Sequence, residues 1–411
     1  MISNWIKMLR NQPSHIKLAL LALAAGVIVP LSVYTVRSFV ADETLEEEAP
    51  RKPGKPEFVR GIHLTSWVTG SKKAREKVDK LLDETELNTV VIAIKEYQGE
   101  VYIPGVATAE KNKAFVNAMP DIKEYVADLK GRGVYTIARI VVFKDKIIPK
   151  KRPDLAVKTP DGDVWRDRSG NTWVDPYNKG VWEYIFEIGE QAVKLGFEEI
   201  QFDYIRYPSD GNTKLCRYSY ANHNSSSAAR NLDEFLIAAN KRFKPLGVPV
   251  SIDVFGLTPS VPHDMGIGQK FAQMTQWVDY VSPMIYPSHY ARGEYGIPNP
   301  NAEPYKVVYK TMYDSLKKLG PIHNRMRPYL QDFSLGHKYG PQEVRAQIQA
   351  CEDLGFKEWL MWSPNSNYQK NAYRRKDGTL PDEAVFPKSW IVTISSTTGK
   401  FVPVSPKKAD N

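Results

Sequence analysis

The sequence predicts an α/β protein, a closed (β/α)8 TIM barrel preceded by one N-terminal transmembrane helix. Eight short β-branched or aromatic runs alternate with segments of helical spacing, which is typical of a parallel α/β fold. A glycine stands just before five of these runs, where helices commonly end in a left-handed residue. A 19-residue run without a formal charge lies near the N-terminus and is long enough to cross a bilayer.

The uncharged run covers residues 18–36 and, rising ~1.5 Å per residue, crosses the ~30 Å hydrocarbon layer as a helix. Lys7, Arg10 and Lys17 precede it, so the positive-inside rule predicts a cytoplasmic N-terminus and an exported remainder. A cleavable signal peptide is the alternative, but Phe39 stands where cleavage needs a small residue. We therefore expect an uncleaved signal anchor in the cell membrane, with the following domain on the extracytoplasmic side.

These features divide the chain into five parts. The acidic, then proline- and lysine-rich stretch after the anchor cannot bury a core and predicts an extended spacer. The parts are a cytoplasmic tail (1–17), the transmembrane anchor (18–36), a linker (37–57), the barrel domain (58–390) and a flexible tail (391–411).

Composition narrows the class of protein. Hydrophobic residues make up 42% and charged residues 25% of the chain, which excludes wholesale disorder and a polytopic membrane protein. Two cysteines exclude a disulfide scaffold, and we expect two separate thiols. The net charge of +9 comes from scattered basic residues without a nucleic-acid motif, so we predict no nucleic-acid partner, and an anionic wall or membrane surface accounts for the charge at least as well.

The eight runs are the predicted strands. Between them, Ser71 and the pair Asp175-Pro176 each predict the start of a helix, because both have good capping chemistry. The predicted strands cover residues 59–65, 89–95, 134–142, 199–206, 249–255, 280–286, 327–333 and 358–363.

A doubly wound open sheet is the alternative architecture. It should carry a glycine-rich nucleotide turn after its first strand, whereas this chain reads His-Leu-Thr-Ser-Trp at 63–67. We therefore predict the barrel. Two long connections, 144–177 and 208–228, leave the carboxyl ends of strands 3 and 4, the rim where barrel active sites are built.

Strand 4 carries the first candidate catalytic residue. Alternation with period 2 puts Gln201 and Asp203 on one face and the aromatic Phe202 and Tyr204 on the other. Because helices cover the outer face, Asp203 is expected to point into the barrel mouth. A buried carboxylate needs a partner, and Arg206 is the predicted one. A buried Asp–Arg clamp without a catalytic role is the structural alternative.

Two further strands supply carboxylates by the same logic. Ser251, Asp253 and Phe255 share a face of strand 5, so Asp253 is expected near Asp203. Strand 7 ends in Gln331 and Asp332, where alternation is less clear. Other polar or aromatic residues at strand ends complete the predicted rim: Lys95, Arg139, Tyr286, His289 and Trp362.

A rim of this composition matches what glycosidic cleavage requires, namely an acid, a second carboxylate and aromatic faces for sugar rings. Each residue also has a purely structural interpretation. Trp362 fits a position in the core, and His289 fits a hydrogen bond within a loop. Other chemistries lack their motifs, because the chain has no G-x-S-x-G elbow, no HExxH and no Walker loop. The histidines show no metal-ligand spacing, so we predict neither a metal nor another cofactor.

The segment 202–211 (FDYIRYPSDG) resembles the strand-4 signature of a bacterial family of exported TIM-barrel glycoside hydrolases. Further matches follow in the same order, and the resemblance runs from Val59 to Tyr368. It implies a barrel fold and a carbohydrate-active role. The other matching segments are 173–176 (WVDP), 251–256 (SIDVFG), 282–290 (SPMIYPSHY) and 327–333 (RPYLQDF).

The resemblance also implies roles for the acidic residues. Asp203 is similar to the strand-4 nucleophile of amylase-type barrels, although Arg206 follows it rather than precedes it. Asp253 stands on strand 5, where those enzymes usually carry a glutamate acid, and Asp332 corresponds to their third acidic residue. Ala93 departs from the pattern, since similar sequences tend to have an aspartate there, which predicts impaired activity or altered specificity.

The sequence thus predicts a membrane-anchored glycoside hydrolase that cleaves a polysaccharide of the cell envelope or matrix. Asp203 is the predicted nucleophile or base, Asp253 the acid/base, and Asp332 a stabiliser of the transition state. Two alternatives stay open: a catalytically impaired glycan-binding barrel, and a structural partner of a membrane complex. The residues predicted to bind the sugar are Lys95, Arg139, Tyr204, Arg206, Tyr286, His289 and Trp362.

Overall fold

The computed structural model of the protein describes residues 54–404, which belong to one compact unit. The predicted cytoplasmic tail, the predicted anchor and nearly all of the linker lie outside the described residues. Within 54–404, no helix combines the length and the apolar character that crossing a bilayer demands.

Eight parallel strands close into a barrel in sequence order, and the last strand pairs with the first. This confirms the predicted fold, and every strand falls inside its predicted run. Where an observed strand is shorter than the predicted run, by one to three residues at an end, the unpaired residues are mostly polar or aromatic. The strands are β1 Arg60–Leu64, β2 Thr89–Lys95, β3 Tyr135–Val141, β4 Glu199–Asp203, β5 Val250–Phe255, β6 Tyr280–Ile285, β7 Tyr329–Gln331 and β8 Trp359–Trp362.

The longer helices form a layer around the barrel, and shorter ones lie in the connections. They are α1 Ser66–Gly70, α2 Lys72–Glu84, α3 Ala107–Lys111, α4 Ile122–Gly131, α5 Ile148–Lys151, α6 Lys179–Lys194, α7 Ser225–Phe243, α8 Phe271–Thr275, α9 Pro304–Leu319 and α10 Pro341–Glu352. No α-helix follows β8 within the described part of the chain.

One predicted helix start is confirmed and another is wrong. Ser71 caps α2 by accepting a hydrogen bond from the Ala74 amide at 3.3 Å. Asp175 does not cap α6. The helix begins at Lys179 and is capped by the side chain of Asn178. Instead, the Asp175 carboxylate accepts from the amides of Tyr177 (3.0 Å) and Ser219 (2.6 Å). It therefore ties the two long connections together, a long-range role that local capping rules do not detect.

Apolar side chains separate into two layers, as strand alternation requires. Phe202 faces outward from β4 and packs 5.4 Å from the ring of Phe235 on α7. A smaller cluster fills the barrel interior, and it includes Val91, Ile137 and Tyr329. The inward positions of β4 are thus Glu199, Gln201 and Asp203, which confirms the predicted direction of Asp203.

The floor of the barrel, at the amino ends of the strands, contains a buried ion pair. Glu199 and Arg327 are fully buried and form a bidentate contact. Ser251 donates to Glu199 Oε1 at 2.6 Å, and Tyr135 donates to Oε2 at 3.2 Å. Each oxygen of the Glu199 carboxylate therefore accepts from two donors.

The C-terminal region differs from the flexible tail predicted for 391–411. Residues Val392–Ile394 (β9) pair antiparallel with Phe401–Pro403 (β10). Val392 and Ile394 are buried in the main core, and the Tyr309 hydroxyl of α9 lies 3.1 Å from Thr393 Oγ1. The hairpin is ordered because it covers the apolar surface of α9, which the polar composition of the segment does not reveal.

Candidate active site

The carboxyl ends of β3 to β8 surround a cavity of about 570 Å³ at the mouth of the barrel. Loops that follow β5 and β6 form one side, since each of these strands continues into an irregular connection. The cavity is lined by Arg139, Asp203, Tyr204, Arg206, Asp253, Phe255, Gly256, Leu257, Met265, Met284, Tyr286, His289, Tyr290, Ala291, Glu294, Tyr329 and Trp362.

Arg139 of β3 joins the two inward carboxylates. Its Nε and Nη2 both donate to Asp203 Oδ2, and the Nε distance is 3.1 Å. The same Nε lies 3.8 Å from Asp253 Oδ2. The structure therefore brings Asp203 and Asp253 together around one buried guanidinium, as strand alternation predicts.

Asp253 is the more deeply buried carboxylate, with only 1% of its surface exposed. Its Oδ1 has no hydrogen-bond partner among the described residues, although the residue lines the cavity. Burial raises the pKa of Asp253 well above its ordinary value, and the nearby charge of Asp203 raises it further. A protonated carboxyl that faces a cavity can donate its proton to a bound molecule.

Tyr204 lines the cavity although alternation predicts an outward side chain. The strand ends at Asp203, and Tyr204 adopts a left-handed backbone conformation with φ of 52°. Its amide donates to Asp203 Oδ1 at 2.5 Å. Left-handed conformations are uncommon for residues other than glycine and cluster at functional sites. The turn therefore brings Tyr204 inward and orients the Asp203 carboxylate.

Arg206 is not the partner of Asp203, contrary to the prediction. Its Nη1 donates to the Tyr207 carbonyl at 3.1 Å and to Ser209 Oγ at 3.0 Å. Its guanidinium lies 4.8 Å from the ring centre of Tyr204 and 4.7 Å from that of Phe255. Two residues beyond the left-handed turn, Arg206 contacts aromatic faces at the cavity wall, whereas Arg139 reaches Asp203 from the neighbouring strand.

Aromatic side chains form the wall opposite Arg206. Trp362 of β8 stacks on His63 of β1, with ring centres 4.0 Å apart, and the Arg139 guanidinium lies 5.0 Å from the Trp362 ring. Tyr286 and His289, after β6, also line the cavity and contact each other edge to face. The structure thus gathers the predicted sugar-binding residues Arg139, Tyr204, Arg206, Tyr286, His289 and Trp362 at one cavity.

Lys95 does not line the cavity, so its predicted role in sugar binding needs correction. The side chain is completely buried, donates to the Val141 carbonyl at 2.9 Å and pairs with Asp145 at 3.0 Å. A register shift between Ala93 and Lys95 interrupts simple alternation on β2. Lys95 therefore attaches β2 to the end of β3 and to the connection that follows it.

Asp332 also lies away from the cavity lining. Its Oδ2 accepts from the Gln369 amide at 2.9 Å and from the Tyr373 hydroxyl at 2.7 Å, so the carboxyl holds the segment after β8. Burial raises the pKa of Asp332 to about 7. The residue comes just after β7, where alternation no longer predicts direction, and its predicted contact with a transition state is not supported by this position.

Two other carboxylates lie at the mouth. Glu96 follows Lys95 at the end of β2 and accepts from Arg139 Nη1 at 3.1 Å. The rule that selected Asp203, a carboxylate at a strand end, also detects Glu96. Glu294 lines the cavity from the irregular loop after β6, where no periodic signal predicts direction. Among residues 54–404, no group of three or more histidines, cysteines or acidic residues is arranged to hold a metal ion.

Comparison with protein families gives one match. The family described as "Putative glycosyl hydrolase domain" matches residues 61–368, a range that contains all eight strands except the first residue of β1. No curated protein matches the chain.

Two solved structures are similar to large parts of this chain. A hypothetical protein from Ruminiclostridium thermocellum is 34% identical over 47% of this chain and 97% of its own, with a TM-score of 0.43. The PgaB (BpsB) glycoside hydrolase domain from Bordetella bronchiseptica is 15% identical over 75% of this chain and 95% of its own, with a TM-score of 0.57.

A third similar structure is the C-terminal domain of a chitinase-like protein from Desulfitobacterium hafniense. It is 10% identical, covers 78% of this chain and 97% of its own length, and has a TM-score of 0.50. At these identities the second and third likenesses concern the fold alone, and the fold they share with this chain is the barrel.

Proposed function

We propose that this chain, which belongs to this family of glycosyl hydrolase domains and is a glycoside hydrolase, cleaves a cell-envelope or extracellular polysaccharide. The proposed reaction uses a two-carboxylate mechanism. The observation that carries the proposal is the pair Asp203 and Asp253 on one guanidinium inside the cavity. Glycosidic cleavage requires two carboxyl groups on either side of the scissile bond, one of them protonated.

The environments of the two carboxyl groups support different roles. The raised pKa of Asp253, caused by burial and by Asp203, keeps a proton available for the leaving oxygen. Asp203 accepts two hydrogen bonds from Arg139 and one from the Tyr204 amide, which hold a charged carboxylate in a fixed orientation. Asp253 is therefore the general acid, and Asp203 is the nucleophile.

The spacing is compatible with retention of configuration and excludes most of the range found for inversion. Because both carboxylates contact Arg139 Nε, their Oδ2 atoms are less than about 7 Å apart, whereas inverting pairs are ~6.5–9.5 Å apart and retaining pairs ~5–5.5 Å apart. Asp203 attacks the anomeric carbon while the bond to the leaving oxygen breaks and Asp253 donates its proton to that oxygen. Water then displaces Asp203 and returns a proton to Asp253.

The cavity walls suit a pyranose ring. Tyr286, Trp362 and Tyr204 offer flat apolar faces, and Arg206 and His289 offer hydrogen-bond donors. In this proposal the uncharged segment 18–36 anchors the chain in the membrane and brings the barrel to substrates outside the cell.

The test is incubation of the purified full-length chain with peptidoglycan, N-acetylglucosamine polymers, neutral glucans and galactans, followed by product masses and reducing-end assays. Asp203→Asn serves as the control, and we expect it to release no products. Release of anomerically retained sugar by the wild-type chain alone supports the proposal.

A glycan-binding protein without turnover is the second candidate, and Ala93 is the observation that favours it. Ala93 pairs in register with Arg139, so an apolar methyl stands beside the arginine of the site. If the wild-type chain and Asp203→Asn bind the same glycan equally and neither releases reducing ends, the binding function replaces the enzymatic one.

A further inference from the structure

The most exposed large apolar side chain in the described part of the chain is Trp67, with 62% of its surface accessible. It lies on α1, three residues after the end of β1 and two after the cap residue Thr65, and thus at the same end of the barrel as the cavity. Burial of an indole ring is favourable, so an exposed one at a substrate-facing rim has a cost that a bound partner removes. Single exposed apolar residues are common, and the case depends on how Trp67 is held.

The turn that carries Trp67 is fixed on three sides. Thr65 caps it by accepting from the Val68 amide at 3.2 Å, and the Thr65 amide donates to Ser366 Oγ at 2.9 Å. A Cβ atom at Gly70 would lie 1.8 Å from the Ala118 carbonyl oxygen, so the backbone there packs directly on the next connection. Trp67 is therefore displayed from a rigid support, which lowers the entropy lost when a ligand binds.

Tyr102 supports the indole ring from the side. The two ring centres are 6.2 Å apart in an edge-on arrangement, and Tyr102 is itself buried. Its hydroxyl donates to Glu100 Oε2 at 2.5 Å. Since Tyr102 contacts the indole edge-on and the ring remains largely accessible, Trp67 has a flat apolar surface available for a ligand.

Glu96 lies near both Tyr102 and the cavity. The charge of Glu96 acts on Tyr102, and Glu96 accepts from Arg139, which lines the cavity. On the other side of α1, a groove of about 580 Å³ runs between α2 and the segment after β8, and Val68, Ser71 and Tyr368 line it. Trp67 thus stands beside Val68, a lining residue of this groove, and at the end of the barrel where the cavity opens.

We propose that Trp67 forms a distal sugar-binding platform, so that the substrate is a polysaccharide chain held across the β1–β2 rim. Flat aromatic faces bind the apolar faces of pyranose rings in the way they bind other rings. The proposal rests on the proposed glycoside hydrolase function, because it assigns the rim to the same substrate. It predicts that a chain long enough to reach Trp67 is preferred over a short one.

The experiment compares Trp67→Ala, Trp67→Phe and Trp277→Ala with wild type in the full-length chain. Trp277 is a matched control because it is 38% exposed and lies just before β6, at the opposite end of the barrel. The probes are oligomers of two to eight units of the N-acetylglucosamine, glucose or galactose polymer that the wild-type chain cleaves. We expect Trp67→Ala to lower kcat/KM for the octamer about tenfold and to leave the dimer unchanged.

Trp67→Phe should recover most of the loss, and Trp277→Ala should behave as wild type. Equal losses on octamer and dimer, or none, overturn the platform while leaving the hydrolase function intact. Binding in the Asp203→Asn background is measured by indole fluorescence and does not need turnover. If that variant binds octamers no better than dimers, the platform is also rejected, and if wild type neither binds nor cleaves any polymer, both proposals fall.

Discussion

Both ends of the barrel bury an arginine beside carboxylates, but they differ in how completely the charges are paired. At the floor, Arg327 meets one carboxylate, that of Glu199, which also accepts hydrogen bonds from Ser251 and Tyr135. At the mouth, Arg139 meets three carboxylates, those of Asp203, Asp253 and Glu96. The floor is balanced in charge, whereas the mouth carries an excess of acid.

The difference indicates which end does chemistry. Broken pairing is costly at the floor, because removal of one partner leaves a charge without solvent or counter-ion. At the mouth, three carboxylates share one guanidinium, and burial together with the charge of Asp203 raises the pKa of Asp253. A carboxyl with a raised pKa beside a cavity is typical of a catalytic acid, whereas the floor pairs one carboxylate with one guanidinium.

The largest expected effect is on activity at the mouth. Asp203→Asn removes the nucleophile but keeps a similar shape, so kcat should fall by roughly 10⁴-fold, which corresponds to about 5 kcal/mol. The free energy of unfolding should fall by only about 1–3 kcal/mol, because the amide oxygen still accepts from Arg139 while the NH2 group replaces the acceptor of the Tyr204 amide. Steady-state kinetics and urea denaturation of the same preparation measure both. A stability loss in proportion to the activity loss would place Asp203 in a structural clamp instead.

The floor should show the reverse pattern. Arg327→Met leaves the Glu199 carboxylate buried without its cation, and we expect the free energy of unfolding to fall by ~3–5 kcal/mol. The kcat of the folded protein should stay near wild type. Urea denaturation measures the stability, and the double variant Arg327→Met, Glu199→Leu should recover much of it. A selective loss of kcat in the stable double variant would contradict the division between floor and mouth.

Asp253→Asn tests the acid. We expect a loss of about 10²- to 10³-fold in kcat/KM, the range typical of a missing general acid. Because burial and Asp203 raise the pKa of Asp253, wild-type activity should fall as pH rises through that pKa, and the variant should lack this alkaline limb. The pH–rate profile is the measurement. An unchanged alkaline limb would assign the titrating group to another residue.

The same variant should be more stable than wild type at neutral pH. A carboxyl whose pKa is raised on folding contributes stability below its unfolded pKa, and this contribution is lost as pH rises through the folded value. Asparagine has no proton to lose, so the Tm of Asp253→Asn should exceed that of wild type at pH 8 and approach it near pH 4.

The smallest effect on activity is expected at Asp332, whose pKa is raised from 3.8 to about 7 by burial. Wild-type stability should decrease as pH rises from about 4 through 7, by about 4 kcal/mol at pH 8, and Asp332→Asn should flatten this dependence. The amide oxygen can still accept from Gln369 and Tyr373. Thermal unfolding between pH 4 and 8 measures the change, and unchanged kcat is the expected control because Asp332 does not line the cavity.

Tyr204 and Lys95 show where strand alternation fails to predict the direction of a side chain. Both residues lie at strand ends, and alternation was applied to both. A left-handed turn moves Tyr204 into the cavity, and a register shift on β2 directs Lys95 into a buried pair with Asp145. Neither irregularity has a local sequence signal, because each depends on contacts between neighbouring strands.

The sequence by itself determined the eight strands and the inward direction of Asp203 and Asp253, because alternation and helical spacing are local properties of the chain. The rule that selects a carboxylate at the end of a strand also indicates Glu96. Only the tertiary structure decided that Arg139, not Arg206, pairs with Asp203, that Asp332 anchors the segment after β8, and that Trp67 stands on the rim. These outcomes depend on which distant residues share a small buried volume, and charge pairing inside that volume follows proximity in space rather than proximity in sequence.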